Sequence, residues 1–113
     1  MKFTQAADRK DTDGTCLQGY ITATYAALVK AFGEPDSDGD GYKIDAKWGL
    51  KFEDGTVATI YNWKNGKNYC GVSAPGVKRI TEWNIGGRKE LAVTRVKGAL
   101  MESRNGRNSD KES

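Results

Sequence analysis

Residues 43–63 constrain the fold more than any other stretch of the chain. Ile44, Ala46, Trp48, Leu50 and Phe52 alternate with Lys43, Asp45, Lys47, Lys51 and Glu53. Period two over this length specifies a strand with one face buried and one wet. Asp54-Gly55 follows, a favoured two-residue hairpin turn because glycine readily takes positive φ. A type I′ turn there pairs Glu53 with Thr56, and the register follows. Phe52 then faces Val57, Leu50 faces Thr59, Trp48 faces Tyr61 and Ala46 faces Trp63. One side of this hairpin is aromatic and apolar throughout, so a second layer must cover it.

Two helices supply that layer. The first is expected to start with Thr22 as N-cap and to stop at Gly33, with Pro35 beyond it. Tyr25, Leu28, Val29 and Phe32 fall at i, i+3, i+4 and i+7, a single apolar stripe. A third strand is expected over 79–85, with Trp83 and Ile85 pointing inward. Gly86-Gly87 then turn the chain into a second helix over about 88–103. Ala92, Val96, Ala99 and Leu100 form its inner stripe, Val93 lies at the margin, and Leu91 and Met101 sit off it. Residues 15–21 make an optional further strand. Residues 1–14 and 104–113 read as a flexible lead and a polar tail. The expected architecture is α+β: an antiparallel three- to four-stranded sheet with two helices on one face, in the order (β)-α-β-β-β-α. It forms a single domain over 15–103.

The chain contains no histidine. That removes the usual general base, the Ser-His and Cys-His arrangements and the commonest zinc ligand, so a non-enzymatic protein is expected. Cys16 and Cys70 are too far apart for a CxxC site and read as two free thiols. Asp36, Asp38, Asp40 and Gly41 occupy positions 1, 3, 5 and 6 of a calcium loop, but Lys47 stands where a bidentate glutamate is required. No metal or cofactor is therefore expected. No apolar run is long enough to cross a bilayer, and the first fifteen residues are polar with mixed charge. These features predict a soluble, cytosolic protein without a membrane partner.

The net charge of +3 is unevenly spread, since residues 62–107 carry ten basic against three acidic side chains. Such asymmetry suits an acidic partner. The segment NIGGRKE places Gly86, Gly87, Arg88 and Lys89 at the expected strand-to-helix junction. Unpaired N–H groups at such a junction can hold an anion. Leu91 and Arg95 extend this patch along the helix, and Lys64, Lys67 and Arg79 are further contact candidates. Trp48, Tyr61, Trp63 and Trp83 cluster on neighbouring strands. Such rings can stack bases, but the face that bears them must also receive both helices, which favours core packing.

The order α-β-β-β-α ending in GGRKELAVTRVKGALME resembles the double-stranded-RNA-binding domain. Arg88 and Lys89 match that family's phosphate-straddling cluster in part, and Ala92 and Ala99 match its small-residue face. The family's hairpin usually offers a histidine, whereas this one ends in Asp54-Gly55. The runs GYITATYAALVKAFGEP, WGLKFEDGTVATIYNW and ITEWNIGG are similar to small accessory proteins of tailed bacteriophages. That resemblance implies the cytoplasm of an infected bacterium as the setting. It also implies a protein, alone or as a homodimer, that blocks a host or defence factor such as a CRISPR complex or a restriction enzyme. The positive charge balance argues against mimicry of DNA. Two other functions fit the same residues: a nucleic-acid-binding domain using the basic second helix, and a protein sequestering a nucleotide signal at that helix's start.

Overall fold

The computed structural model describes residues 2–5, 14–35, 46–63, 70–71 and 76–104. The acidic 36–41 loop, Lys64, Lys67 and the tail beyond Arg104 lie outside them. In chain order the described elements are β1 (Phe3–Gln5), β2 (Cys16–Thr22), α1 (Tyr25–Phe32), β3 (Lys47–Phe52) and β4 (Val57–Tyr61). A 3-10 turn (Val77–Arg79), β5 (Glu82–Gly87) and α2 (Leu91–Arg104) complete them. The five strands form one antiparallel sheet in the order β1-β3-β4-β5-β2. The fold is therefore α+β, as expected, with one strand more than the sequence predicts. The extra strand is β1, which falls in a segment expected to be flexible; three residues are too few to show a period.

The 54–55 hairpin forms, but one residue out of the expected register. Lys47 faces Tyr61, Trp48 faces Ile60, Gly49 faces Thr59, Leu50 faces Ala58 and Lys51 faces Val57. The turn explains the slip. The Gly55 N–H donates to the Phe52 carbonyl at 2.9 Å, and the Phe52 N–H donates to the Thr56 carbonyl at 2.8 Å. Residues 53–55 thus make a three-residue loop with Gly55 at φ 87°, the pattern of a type I turn closed by a G1 bulge. Asp54 favours this geometry because its Oδ1 accepts the Thr56 N–H at 3.0 Å. A one-residue slip turns a whole strand over. Ala58 and Ile60 therefore join the buried face beside Trp48 and Leu50, followed by the fully buried Asn62. The Oδ1 of Asn62 accepts the Ala46 N–H at 3.1 Å. Val57, Thr59 and Tyr61 go to the opposite face.

The core lies between the sheet and the two helices. Trp48 and Trp83 are fully buried and meet edge to face, centroids 5.4 Å apart. Each indole N–H has a carbonyl partner, as a buried indole requires: Trp48 donates to Gly33 at 2.8 Å and Trp83 to Ala23 at 2.9 Å. Tyr25 packs on both rings, while Phe3 sits between Phe32 and Phe52.

α1 is capped by Thr24, whose hydroxyl accepts the Ala27 N–H at 3.0 Å. The expected cap, Thr22, belongs to β2 instead. The helix ends at Gly33 as expected, with φ 86° and its N–H on the Val29 carbonyl. Buried Leu28, Ala31 and Phe32 face the core, with Tyr25 and Val29 at its margin. α2 buries Ala92, Val96, Ala99 and Leu100, the expected stripe, and adds Ser103.

Candidate functional site

Gly86 and Gly87 are not at a helix start. They are the last two residues of β5, and each is paired on both sides: Gly86 with Leu17 and Thr59, Gly87 with Cys16 and Ala58. Their absent side chains answer to packing. A Cβ on Gly86 would lie 2.5 Å from Thr59 Oγ1, and one on Gly87 would lie 2.5 Å from the Ala92 Cβ. α2 begins later, at Leu91, after a turn in which the Ala92 N–H donates to the Lys89 carbonyl at 3.1 Å. NIGGRKE therefore puts no glycine at the start of α2: both belong to the sheet, and Arg88 and Lys89 are the cations between it and the helix.

Arg88, Lys89 and Leu91 do come together, against the hairpin tip rather than the glycines. With Asp54, Gly55, Thr56 and Val57 they line a cleft of about 320 Å³. Arg95 reaches the same tip, placing its Nε 3.0 Å and its Nη2 2.9 Å from Asp54 Oδ2. The Thr56 N–H, and after it Arg95, hold the Asp54 carboxyl at about 2, below its ordinary 3.8. An ionised acid thus sits in the wall of the basic cleft, which disfavours a phosphate there. Arg79 lies elsewhere, in the 3-10 turn that packs against α1.

The low value gives the hairpin a pH signature. A carboxyl whose folded value lies below its unfolded one stabilises the fold above the unfolded value, and loses that effect as pH falls through the folded value. Asp54→Asn keeps an acceptor for Thr56 but removes the titrating charge. The variant is expected to unfold at lower urea than the parent at pH 6, with the gap closing between pH 3.8 and about 2. Parallel urea titrations at pH 6, 3 and 2 measure it; a gap independent of pH would contradict the assignment.

The surface the sequence reading missed is the sheet face turned away from the helices. Pairing puts Tyr20, Asn84, Tyr61 and Lys47 in one row across four strands. Leu17, Gly86, Thr59 and Gly49 form the next. Tyr61 leans over Gly86, with a ring carbon 3.5 Å from where a Cβ would stand, and meets Trp63 edge to face at 6.4 Å. Burial raises the Tyr61 hydroxyl above its ordinary value, while its hydrogen bond with Asn84 acts in the opposite sense. Around it, Tyr20 is 64 % exposed, Leu17 46 % and Trp63 42 %. Of the four aromatics expected to cluster, Trp48 and Trp83 are core and Tyr61 and Trp63 are on this outer face. In T-V-A-T-I-Y-N-W both alternations carry apolar residues, so only the loop length decides which one is buried.

Cys16 and Cys70 are both exposed. Among the described residues no group of three or more His, Cys, Asp or Glu is gathered to hold a metal ion. No helix among them is long and apolar enough to cross a membrane. No family model, curated protein or solved structure matches the chain.

Proposed function

We propose that this chain is a non-enzymatic binding protein that occupies the surface of a partner protein with its outer sheet face. The observation that carries the reading is the grouping of Tyr20, Tyr61, Trp63 and Leu17 on one side of the sheet, with three of the four exposed. Tyrosine and tryptophan offer large, rigid contact area at low entropic cost and dominate binding energy at protein interfaces. In the setting that the phage resemblance implies, the partner is a host or defence factor. The Arg88, Lys89 and Leu91 cleft lies at the sheet's far end as a second contact. Sequestration of a nucleotide signal at the start of α2 ranks third, since Gly86 and Gly87 are paired within the sheet and are not part of that start.

Exposed rings on a sheet also favour a second reading, single-stranded nucleic acid stacked on the outer face beside Lys47 and Lys51. It ranks below the first because Arg95, Lys97 and Arg104 ride on α2, on the other side of the sheet from Tyr61 and Trp63, and of the rings only Tyr20 borders two of them.

Pulldown of tagged protein from bacterial lysate, with and without nuclease, separates the two. A stoichiometric partner protein is expected that resists nuclease and is weakened by Tyr20→Ala or Trp63→Ala. Truncating a central aromatic costs about 2 kcal/mol, roughly 30-fold in Kd. Equal capture by both variants would sink the outer-face reading. Nucleic acid alone, lost after nuclease, would put the second reading first.

A further inference from the structure

The two borders of the sheet are built differently. β1 is a three-residue edge, short enough to offer little to another strand. β2 runs for seven residues, Cys16-Leu-Gln-Gly-Tyr-Ile-Thr22, and contains no charged residue and no proline. These are the usual devices that protect an edge. A bulge between Leu17 and Gly19 disrupts its first half and leaves residues 19–22 as the regular part.

The backbone of that part has a definite polarity. The Ala23 N–H donates to the Thr81 carbonyl at 2.8 Å, which makes Ala23 and Thr81 a hydrogen-bonded pair. Such pairs alternate along an antiparallel ladder. Ile21 and Gly19 therefore turn their N–H and C=O toward β5, while Tyr20 and Thr22 turn theirs outward. Among the described residues no strand lies beyond them.

Beside this edge, α2 forms one wall of a groove of about 430 Å³, lined by Tyr20, Ile21, Thr22, Lys97, Leu100, Met101 and Arg104. Lys97, Leu100, Met101 and Arg104 stand at i, i+3, i+4 and i+7, a second stripe of α2 with apolar residues between two cations. Met101 is 63 % exposed there. Among the described residues no acid lines it; Glu82, opposite Thr22, belongs to the outer face.

We infer that the edge of β2 and this groove form a strand-addition site for an extended acidic segment of a partner protein. The incoming backbone bonds to the outward groups of Tyr20 and Thr22. Its helix-facing side chains meet the α2 stripe. Seven residues of helix span about 10.5 Å, a distance covered by three to four residues of strand. The matching pattern is therefore acidic–x–apolar–x–acidic, with the acids on Lys97 and Arg104 and the apolar residue on Leu100 and Met101. A second copy of this chain is a poor occupant: antiparallel β2–β2 pairing would bring both sets of cations together, and β2 supplies no acid to meet them. The groove shares Tyr20 with the outer face but not Trp63 or Tyr61, so the inference adds a further surface to the binding reading.

The test is fluorescence anisotropy with a labelled peptide, Thr-Glu-Thr-Leu-Thr-Glu-Thr, and a control with lysine at both glutamates. The acidic peptide is expected to bind at least about 10-fold more tightly than the lysine peptide. Lys97→Glu/Arg104→Glu should invert that preference. N-methylating alternate amides of the peptide should abolish binding in one parity and spare it in the other, which a merely electrostatic contact would not do. Trp63→Ala should leave the peptide's affinity unchanged, so that failure of the outer-face reading stays distinguishable. Equal or absent binding of the two peptides would overturn the inference. So would indifference to N-methylation, or a β2-dependent dimer in sedimentation that the peptide does not dissociate.

Discussion

Trp83→Ala should cost about 4–6 kcal/mol and leave much of the protein unfolded at 37 °C. Removing a buried tryptophan costs roughly 3–5 kcal/mol in lost transfer energy and residual cavity. Here it also strands a partner, since the Ala23 carbonyl that accepts the indole N–H at 2.9 Å stays buried, adding about 1 kcal/mol or more. The total is comparable to the whole stability of a small domain, about 5–15 kcal/mol. The informative comparison is Trp63→Ala, which should cost less than about 1 kcal/mol because that ring lies on the outer face. Urea unfolding of both variants, followed by far-ultraviolet circular dichroism, reads the difference directly. Similar losses in the two would mean that Tyr61 and Trp63 pack into the core between sheet and helices after all, as a type I′ turn would have it.

Gly87→Ala should destabilise by about 1–3 kcal/mol through overpacking. The added methyl meets the Ala92 Cβ at 2.5 Å and the Val57 carbonyl oxygen at 3.1 Å, so α2 must lift from β5 or the ladder must bend. Ala92→Gly removes one of the two obstacles. The double variant should therefore be more stable than the sum of the single losses predicts, by about 1 kcal/mol, even though glycine within a helix is itself unfavourable. Strict additivity would show that the helix and strand are not in contact at this point. Binding by Gly87→Ala, measured where the variant is still folded, should be unchanged. A glycine that shaped an anion cradle would give the opposite pattern, with weaker binding at nearly normal stability.

These two cases also show what kind of information the sequence carries. The inner stripe of α2 was fully legible, because Ala92, Val96, Ala99 and Leu100 repeat at helical spacing whatever lies opposite. Trp83 and Ile85 were legible for the same reason on a strand. The Gly86-Gly87 pair was not. Glycine signals punctuation locally, and only the packing reveals that Gly87 lets α2 approach while Gly86 makes room for Thr59 and Tyr61 on the other face. The β4 face was lost to a finer ambiguity. Asp54-Gly55 fits a two-residue and a three-residue loop alike, and the choice rests on Asp54 accepting the Thr56 N–H. That bond, positive-φ Gly55 and the burial of Ala58 and Ile60 together put Tyr61 and Trp63 on the surface side. The candidate site suffered most, because it combined a misplaced glycine pair with a strand read inside out.

The order β1-β3-β4-β5-β2 has a consequence for how the molecule is made. Both borders of the sheet come from the first twenty-two residues, yet their partners, β3 and β5, are encoded far downstream. On a ribosome these two strands emerge first and have nothing to pair with until the meander of β3, β4 and β5 has been synthesised. Contacts this distant in sequence close late and slow folding. β2, an uncharged segment, is therefore made well before the strand it pairs with, and until β5 follows it has no ladder partner within the chain.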